Sequence, residues 1–332
     1  MKARRIGVVM GGTSAEREVS LRTGRAVADA LASAGRSVVE IVLDGGVDTV
    51  EALRAARVDV AFLALHGRLG EDGCIQGLLE VLGVPYTGSN VLASALCMDK
   101  AKSKELFRLH NVPTPPYYVF NAEGCADVEE VHGSFGFPVV VKPRREGSSF
   151  GIAKVDNLPA LARAIEDAQN YDRSVLVERF VAGKEISVGI LDGRVLGAIE
   201  IAPKTGMYDY HAKYTAGVTE YFMPARLPPT RYRGVLNLAE RAAQALETSG
   251  AVRVDLLVTE GQNECVREVN TLPGMTPTSL LPKIAAEAGY SFADLCVAIA
   301  DRASLSVGAT AAVEESERAT VAAPLPAIAL AV

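Results

Sequence analysis

Residues 253–274 read RVDLLVTEGQNECVREVNTLPG. Two short apolar runs, Val254–Val258 and Cys265–Val269, flank a polar Glu-Gly-Gln-Asn segment, which is a hairpin signature. With Gly261 and Gln262 at the tip, Glu260 pairs with Asn263. Counting back sets Asp255 opposite Glu268 and Arg253 opposite Asn270. Side chains alternate faces along a strand, so these four share one face. Val254, Leu256, Val258 and Val269 form the other, which is the expected core face. Two carboxylates, an amide and a guanidinium together suit a hard divalent cation held against phosphate oxygens. The same residues also fit a surface salt-bridge ladder, and a one-residue slip would undo the pairing.

The 332-residue chain is long enough for two or three domains with proper cores. At 49% hydrophobic and 22% charged it reads as globular. Its net charge of -6, with no basic domain standing out, argues against a nucleic-acid partner. The five cysteines, Cys74, Cys97, Cys125, Cys265 and Cys296, show no Cys-x-x-Cys spacing. Neither a zinc site nor a disulfide framework is indicated, and a reducing cytoplasm fits. Lys2-Ala3-Arg4-Arg5 resembles the start of a signal peptide, but the apolar run Ile6–Met10 is too short. No apolar stretch reaches the roughly 20 residues of a membrane span.

Upstream, strands alternate with helices. Ile6–Met10, Ser37–Leu43 and Val58–Leu65 read as strands, with helices after Glu16 and over Val50–Ala56. That alternation predicts a parallel sheet covered on both faces, with ligands at the strand carboxyl ends. Gly11-Gly12 and His66-Gly67 fall there. Neither a dinucleotide fingerprint nor a Walker A loop is present. Glu16 has two readings. Thr13-x-x-Glu16 matches a capping box, or the carboxylate receives a substrate ammonium. His66 either binds substrate or hydrogen-bonds the neighbouring loop.

In the middle segment Asp99 is an expected N-cap for a helix bearing Lys100, Lys102 and Lys104. Strand Phe137–Pro143 with its lysine Lys142, the loop Arg144–Gly151 and the return strand Ile152–Val155 make a hairpin. Its small residues suit a flap whose amides approach phosphate, or an ordinary mobile turn. Ser174–Val177 is a strand running into Glu178-Arg179-Phe180-Val181, which either faces a nucleobase and ribose or simply ends the strand. Further on, Pro203–Thr219 is a long irregular loop with Tyr208, Tyr210, His211, Lys213 and Tyr214, read as a lid. Gly308–Val332 is Ala-rich and reads as a disordered appendage.

Several of these stretches match one known pattern in order and spacing: GGTSAEREVS from Gly11, ALHGRLGEDG from Ala64, PYTGS from Pro85 and MDKAKSK from Met98. They continue with VVKPRREGSSFG from Val140, YDYHAKY from Tyr208, RVD from Arg253 and EVNTLPGMTPTSL from Glu268. From Ile6 to about Ser306 the chain resembles the D-alanine–D-alanine ligase family of the ATP-grasp superfamily.

The resemblance implies an α/β N-terminal parallel-sheet domain, residues 1–96, plus two α+β domains, 97–181 and 182–307, that clamp ATP. The lid is 203–219 and the tail 308–332. It implies ATP-dependent joining of two D-alanines through an acyl phosphate, in the cytoplasm, for peptidoglycan precursor synthesis. The enzyme would be a homodimer without membrane insertion. Asp255, Glu268 and Asn270 would hold two magnesium (or manganese) ions. Lys100, Lys142, Ser148, Ser149 and Lys213 would contact phosphates. Glu178, Arg179, Phe180 and Val181 would form the nucleobase edge, with Glu185 on the ribose. Arg253 and the Gly274 amide would stabilise an oxyanion. Glu16 would bind the first substrate's ammonium near His66, and Ser279 with Leu280 the second one's carboxylate. Glu16, Ser148 and Tyr214 would link first domain, flap and lid.

Two departures stand out. Arg144 occupies a position where a small polar residue is common, adding positive charge near the phosphates. His211 sits where an acid is common, which would make lid closure pH-sensitive. The nearest rival reading is the same fold with D-lactate or D-serine as second substrate. Others are a ligase acting on glutathione precursors and a non-catalytic nucleotide-binding regulator. Intact Arg253 argues against the last, because a pure binder needs no oxyanion arginine.

Overall fold

The computed structural model describes residues 4–44, 48–121, 127–147, 150–204, 217–261 and 263–306. Among them three sheets form. The first is parallel, in order β2 (Ser37–Leu43), β1 (Arg5–Gly11), β3 (Val60–Leu63). Helix α1 (Arg17–Ser33) lays its buried stripe of Val27, Ala28 and Leu31 on this sheet, with α2 (Asp48–Ala56) following. Beyond it come α3 (Cys74–Leu82) and α4 (Val91–Met98), both missing from the sequence reading. The proposed division after residue 96 falls inside α4. Gly11 ends β1 in a left-handed conformation, and a Cβ there would lie 2.6 Å from the Leu43 carbonyl oxygen. Glycine is therefore required for the turn that delivers Glu16.

Asp99 caps α5 (Lys100–Leu109) as expected, accepting from the Lys102 amide at 3.1 Å. The second sheet is antiparallel, in order β4 (Tyr117–Asn121), β7 (Ser174–Arg179), β5 (Val139–Pro143), β6 (Ala153–Val155). Helices α6 (Val128–His132) and α7 (Leu158–Gln169) accompany it. The third sheet runs β10 (Thr219–Phe222), β9 (Arg194–Pro203), β8 (Lys184–Leu191), β11 (Ala251–Val258), β12 (Glu264–Asn270). Helices α8 (Pro229–Ala245), α9 (Leu280–Glu287) and α10 (Phe292–Ala300) complete the described chain.

The cores cross the sequence divisions. One cluster joins Ile6, Val8 and Leu31 to Leu281 and Leu295. Another seats Phe107 of α5 with Val188, Leu238 and Val254. No helix among the described residues is long and apolar enough to cross a membrane. The tail beyond Ser306 and most of the expected lid, 205–216, lie outside the described residues.

Candidate active site

The hairpin β11–β12 builds the floor of the site. Arg253 pairs with Asn270 and Asp255 with Glu268, as the sequence predicts. The two-residue tip behind that prediction is not formed. Thr259 meets Asn263, its amide donating to the Asn263 carbonyl at 3.2 Å. The connection is thus one residue longer, and Gln262 within it lies outside the described residues. A β-bulge restores the register, because Asp255 faces Glu268 while Leu256 faces Val266, leaving Arg267 as the extra residue. The two departures cancel at Asp255. Val254, Leu256, Val258 and Val266 are all buried. Each contributes about 1.5–3 kcal/mol by burial, against about 0–1 kcal/mol for an exposed ion pair. The apolar face therefore decides the register.

Arg267 is the residue that simple alternation misses. In an unbroken hairpin it would oppose Leu256 on the core face. The bulge instead turns it into the site, where Nη1 donates to Glu185 Oε2 at 2.9 Å. Burial would lower its pKa, but the carboxylates of Glu185, Glu268, Glu178 and Asp255 outweigh burial and raise it. The signal was available: an arginine at a core-facing position points to a bulge.

Asp255 is held from three sides. Arg253 donates to both its oxygens at 2.9 and 2.8 Å, Ser187 Oγ donates at 2.6 Å and Asn270 Nδ2 at 3.1 Å. Carboxylates directly opposed on a ladder repel, so the Asp255–Glu268 pair calls for positive charge between them. Among the described residues no group of three or more His, Cys, Asp and Glu is placed to hold a metal. Here an amide completes two carboxylates, an oxygen-donor set that fits magnesium or manganese.

These residues line a cavity of about 450 Å³. Glu16, His66, Lys100, Lys142 and Glu185 reach it from the other elements, and Gly274, Ser279 and Leu280 line it as well. Glu16 is buried and stands at the N-cap position of α1 without a side-chain capping bond, so the expected capping box is not formed. The reason is one of phase: the helix starts at Arg17, too late for Thr13 to be its cap. The flap backbone passes against Glu16 instead, since a Cβ on Gly147 would sit 2.5 Å from Glu16 Oε2. His66 Nε2 lies 3.2 Å from Thr23 Oγ1, and Nδ1 lies 3.8 Å from Glu71 Oε1. Its pKa is raised: burial opposes the charge, but Glu71 and Glu16 outweigh burial.

Lys100 Nζ donates to the Glu146 carbonyl at the flap base, and burial lowers its pKa against the pull of Glu268. Ser279 Oγ accepts from the Thr276 amide at 3.1 Å in the turn that opens α9. Glu178 is absent from the cavity wall. Its carboxylate is buried between Lys142, at 2.7 Å, and Lys104. Arg179, Phe180 and Val181 are not wall residues either. The Arg179 amide donates to the Pro116 carbonyl at 2.9 Å and the Phe180 amide to the Pro138 carbonyl at 3.1 Å. Arg144 does not add charge at the cavity. Its Nε donates to Asp99 Oδ1 at 2.6 Å, behind the helix cap. Ser148, Ser149, Tyr208, Tyr210, His211, Lys213 and Tyr214 lie outside the described residues.

The comparisons agree with this geometry. The sequence model described as "D-ala D-ala ligase C-terminus" matches residues 106–301, and "D-ala D-ala ligase N-terminus" matches 46–89. A D-alanine–D-alanine ligase of Anaeromyxobacter sp. (strain K) is 52% identical over 302 residues, covering 91% of this chain and 97% of the relative. That of Geobacter sulfurreducens is 51% identical over 308 residues, covering 92% and 96%. The Bacillus anthracis D-alanine–D-alanine ligase complexed with ATP superposes with a TM-score of 0.79 at 37% identity, covering 90% of this chain and 97% of that one. The VanG D-Ala:D-Ser ligase of Enterococcus faecalis superposes with 0.77 at 30% identity, covering 90% and 98%. The fold is that of the ATP-grasp ligases, and the chain belongs to the D-alanine–D-alanine ligase family.

Proposed function

We propose that this protein joins two D-alanines into D-alanyl-D-alanine at the expense of ATP, for peptidoglycan precursor synthesis in the cytoplasm. The observation that carries the reading is the single cavity shared by Glu16, Arg253, the Asp255–Glu268–Asn270 face and the Ser279–Leu280 helix start. An amine does not displace oxide from a free carboxylate. The γ-phosphoryl group therefore moves first to a carboxylate oxygen of one D-alanine, releasing ADP. The amine of the second attacks the acyl carbon, the C–N bond forms and phosphate leaves. Positioning and charge neutralisation carry most of such a reaction.

Each group has a suited partner. The Glu16 carboxylate receives the first ammonium, beside His66. The amides and dipole at the start of α9, with Ser279 and Leu280, receive the second carboxylate. Arg253 and the Gly274 amide face the oxyanion. Lys100 and Lys142 meet the phosphates, with Ser148, Ser149 and Lys213 from flap and lid. Glu185 takes the ribose, and the strand end from Glu178 to Val181, which lies outside the cavity wall, is proposed to border the base. Asp255, Glu268 and Asn270 would hold two magnesium or manganese ions, which supply neutralisation of the phosphate charge. Glu16, Ser148 and Tyr214 tie the three parts together on closure. The division at 1–96, 97–181 and 182–307 belongs to the same proposal. So does a homodimer through the first domain, supported by Val81 and Leu92, 86% and 55% exposed on α3 and α4.

The test is phosphate release from ATP and Mg²⁺ with D-alanine, against L-alanine, D-serine and D-lactate, with product masses recorded. Release requiring D-alanine alone, with D-alanyl-D-alanine formed, is the expected result. Release only with D-serine or D-lactate present moves the second substrate. No release with any of them overturns the proposal.

A further inference from the structure

Lys104 is a lysine with no exposed surface, one helical turn below Lys100 on α5. Its ammonium is ion-paired with Glu178, stands 3.4 Å from the Pro115 carbonyl oxygen and lies 5.4 Å from the Tyr117 ring centre. The second oxygen of Glu178 accepts from Lys142 Nζ at 2.7 Å, and Lys142 reaches the cavity. The three side chains form a line of charge, positive–negative–positive, from the interior to the cavity wall. Burial pushes Glu178 up, but the two ammoniums prevail and hold it at about 2. Burial pulls Lys104 down to about 8 against the pull of Glu178. Glu178 and Lys104 are therefore charged at neutral pH.

Stability does not account for the line. Replacing a buried ion cluster with apolar side chains of similar volume is often neutral or stabilising. Counting charge gives a different account. Lys142 with Glu178 alone sums to zero, and a neutral pair attracts phosphate weakly. Lys104 brings the sum to one positive charge at the cavity wall. We propose that Lys104 is a positioning residue for the nucleotide: by engaging Glu178 from behind, it leaves Lys142 to present an uncompensated charge to the phosphates. This rests on the reading that the cavity takes ATP.

The experiment is a ligand ladder. Adenosine, AMP, ADP and ATP are titrated into wild type and Lys104→Met at fixed Mg²⁺, and D-alanine KM is measured alongside. The expected result is unchanged adenosine affinity and D-alanine KM. The loss grows with phosphate number, to about 10- to 100-fold for ATP, the range expected for removing one charge from a partly buried site. The double variant Lys104→Met with Glu178→Gln returns the count to one positive charge and recovers ATP affinity. Should Lys104→Met alone not fold, Glu178→Gln against the double variant reads the same step, from two positive charges to one. A loss equal for adenosine and ATP shows a structural role and overturns the inference, as does unchanged ATP affinity. A wild type that binds none of the four overturns the ATP reading itself, which separates the two failures.

Discussion

Arg253 is a side chain whose value depends on its neighbours. It grips both oxygens of Asp255, so removing it also releases a carboxylate. Arg253→Ala is expected to keep ATP affinity within about threefold while peptide formation falls by about 10²–10³-fold. Direct ATP titration and product mass check this, and normal turnover would remove the oxyanion role. His66 gives a pH prediction. Its pKa lies above the ordinary 6.5 because Glu71 and Glu16 outweigh burial. A raised folded value means the charged imidazolium stabilises the fold. That contribution is complete below the unfolded value and is lost as pH rises through the folded one. The Tm difference between wild type and His66→Gln is therefore largest near about pH 6 and shrinks by about pH 9. A constant difference across that range would refute the assignment of charge.

At the scale of elements, the flap and the hairpin hold the site by backbone as much as by side chain. Gly147 brings the flap chain against Glu16, so a methyl group there would force the Glu16 carboxylate to shift. Gly147→Ala is expected to lower kcat/KM for D-alanine about tenfold, with Tm moved by no more than a few degrees. Calorimetry and steady-state kinetics on one preparation decide between this and general destabilisation. The β11–β12 hairpin shows what pattern reading reaches. Alternation placed Arg253, Asp255, Glu268 and Asn270 together because apolar burial sets the register. It missed Arg267, because a bulge has no period of its own and is paid for by contacts elsewhere. Of the two readings of Glu16 the capping box is not formed, because that motif needs the helix to start at one particular residue and α1 starts at Arg17.

At the scale of the whole molecule, the sequence divisions and the cores do not coincide. Phe107 of α5 is buried with the third sheet, while the first residue of the same helix, two turns earlier, reaches the flap through Lys100. Helix α5 thus joins the elements that surround the cavity. The same scale carries the assembly prediction. Val81→Lys combined with Leu92→Lys is expected to reduce the mass in solution from twice to once the 35.0 kDa chain, measured by light scattering. An unchanged mass would place the interface elsewhere or refute the dimer.

The sequence by itself determined the parallel first sheet, the capped lysine helix and the pairing of the carboxylate face. All three rest on local chemistry: hydrophobic period, an Asp at a helix start, and an alternating apolar face whose burial holds the register. Only the tertiary structure decided that Glu178 turns inward to two lysines, that Arg144 answers Asp99, and that Arg267 joins the site. Those outcomes depend on which charge from a distant segment lies within reach when water is excluded. Position along the chain does not encode that distance.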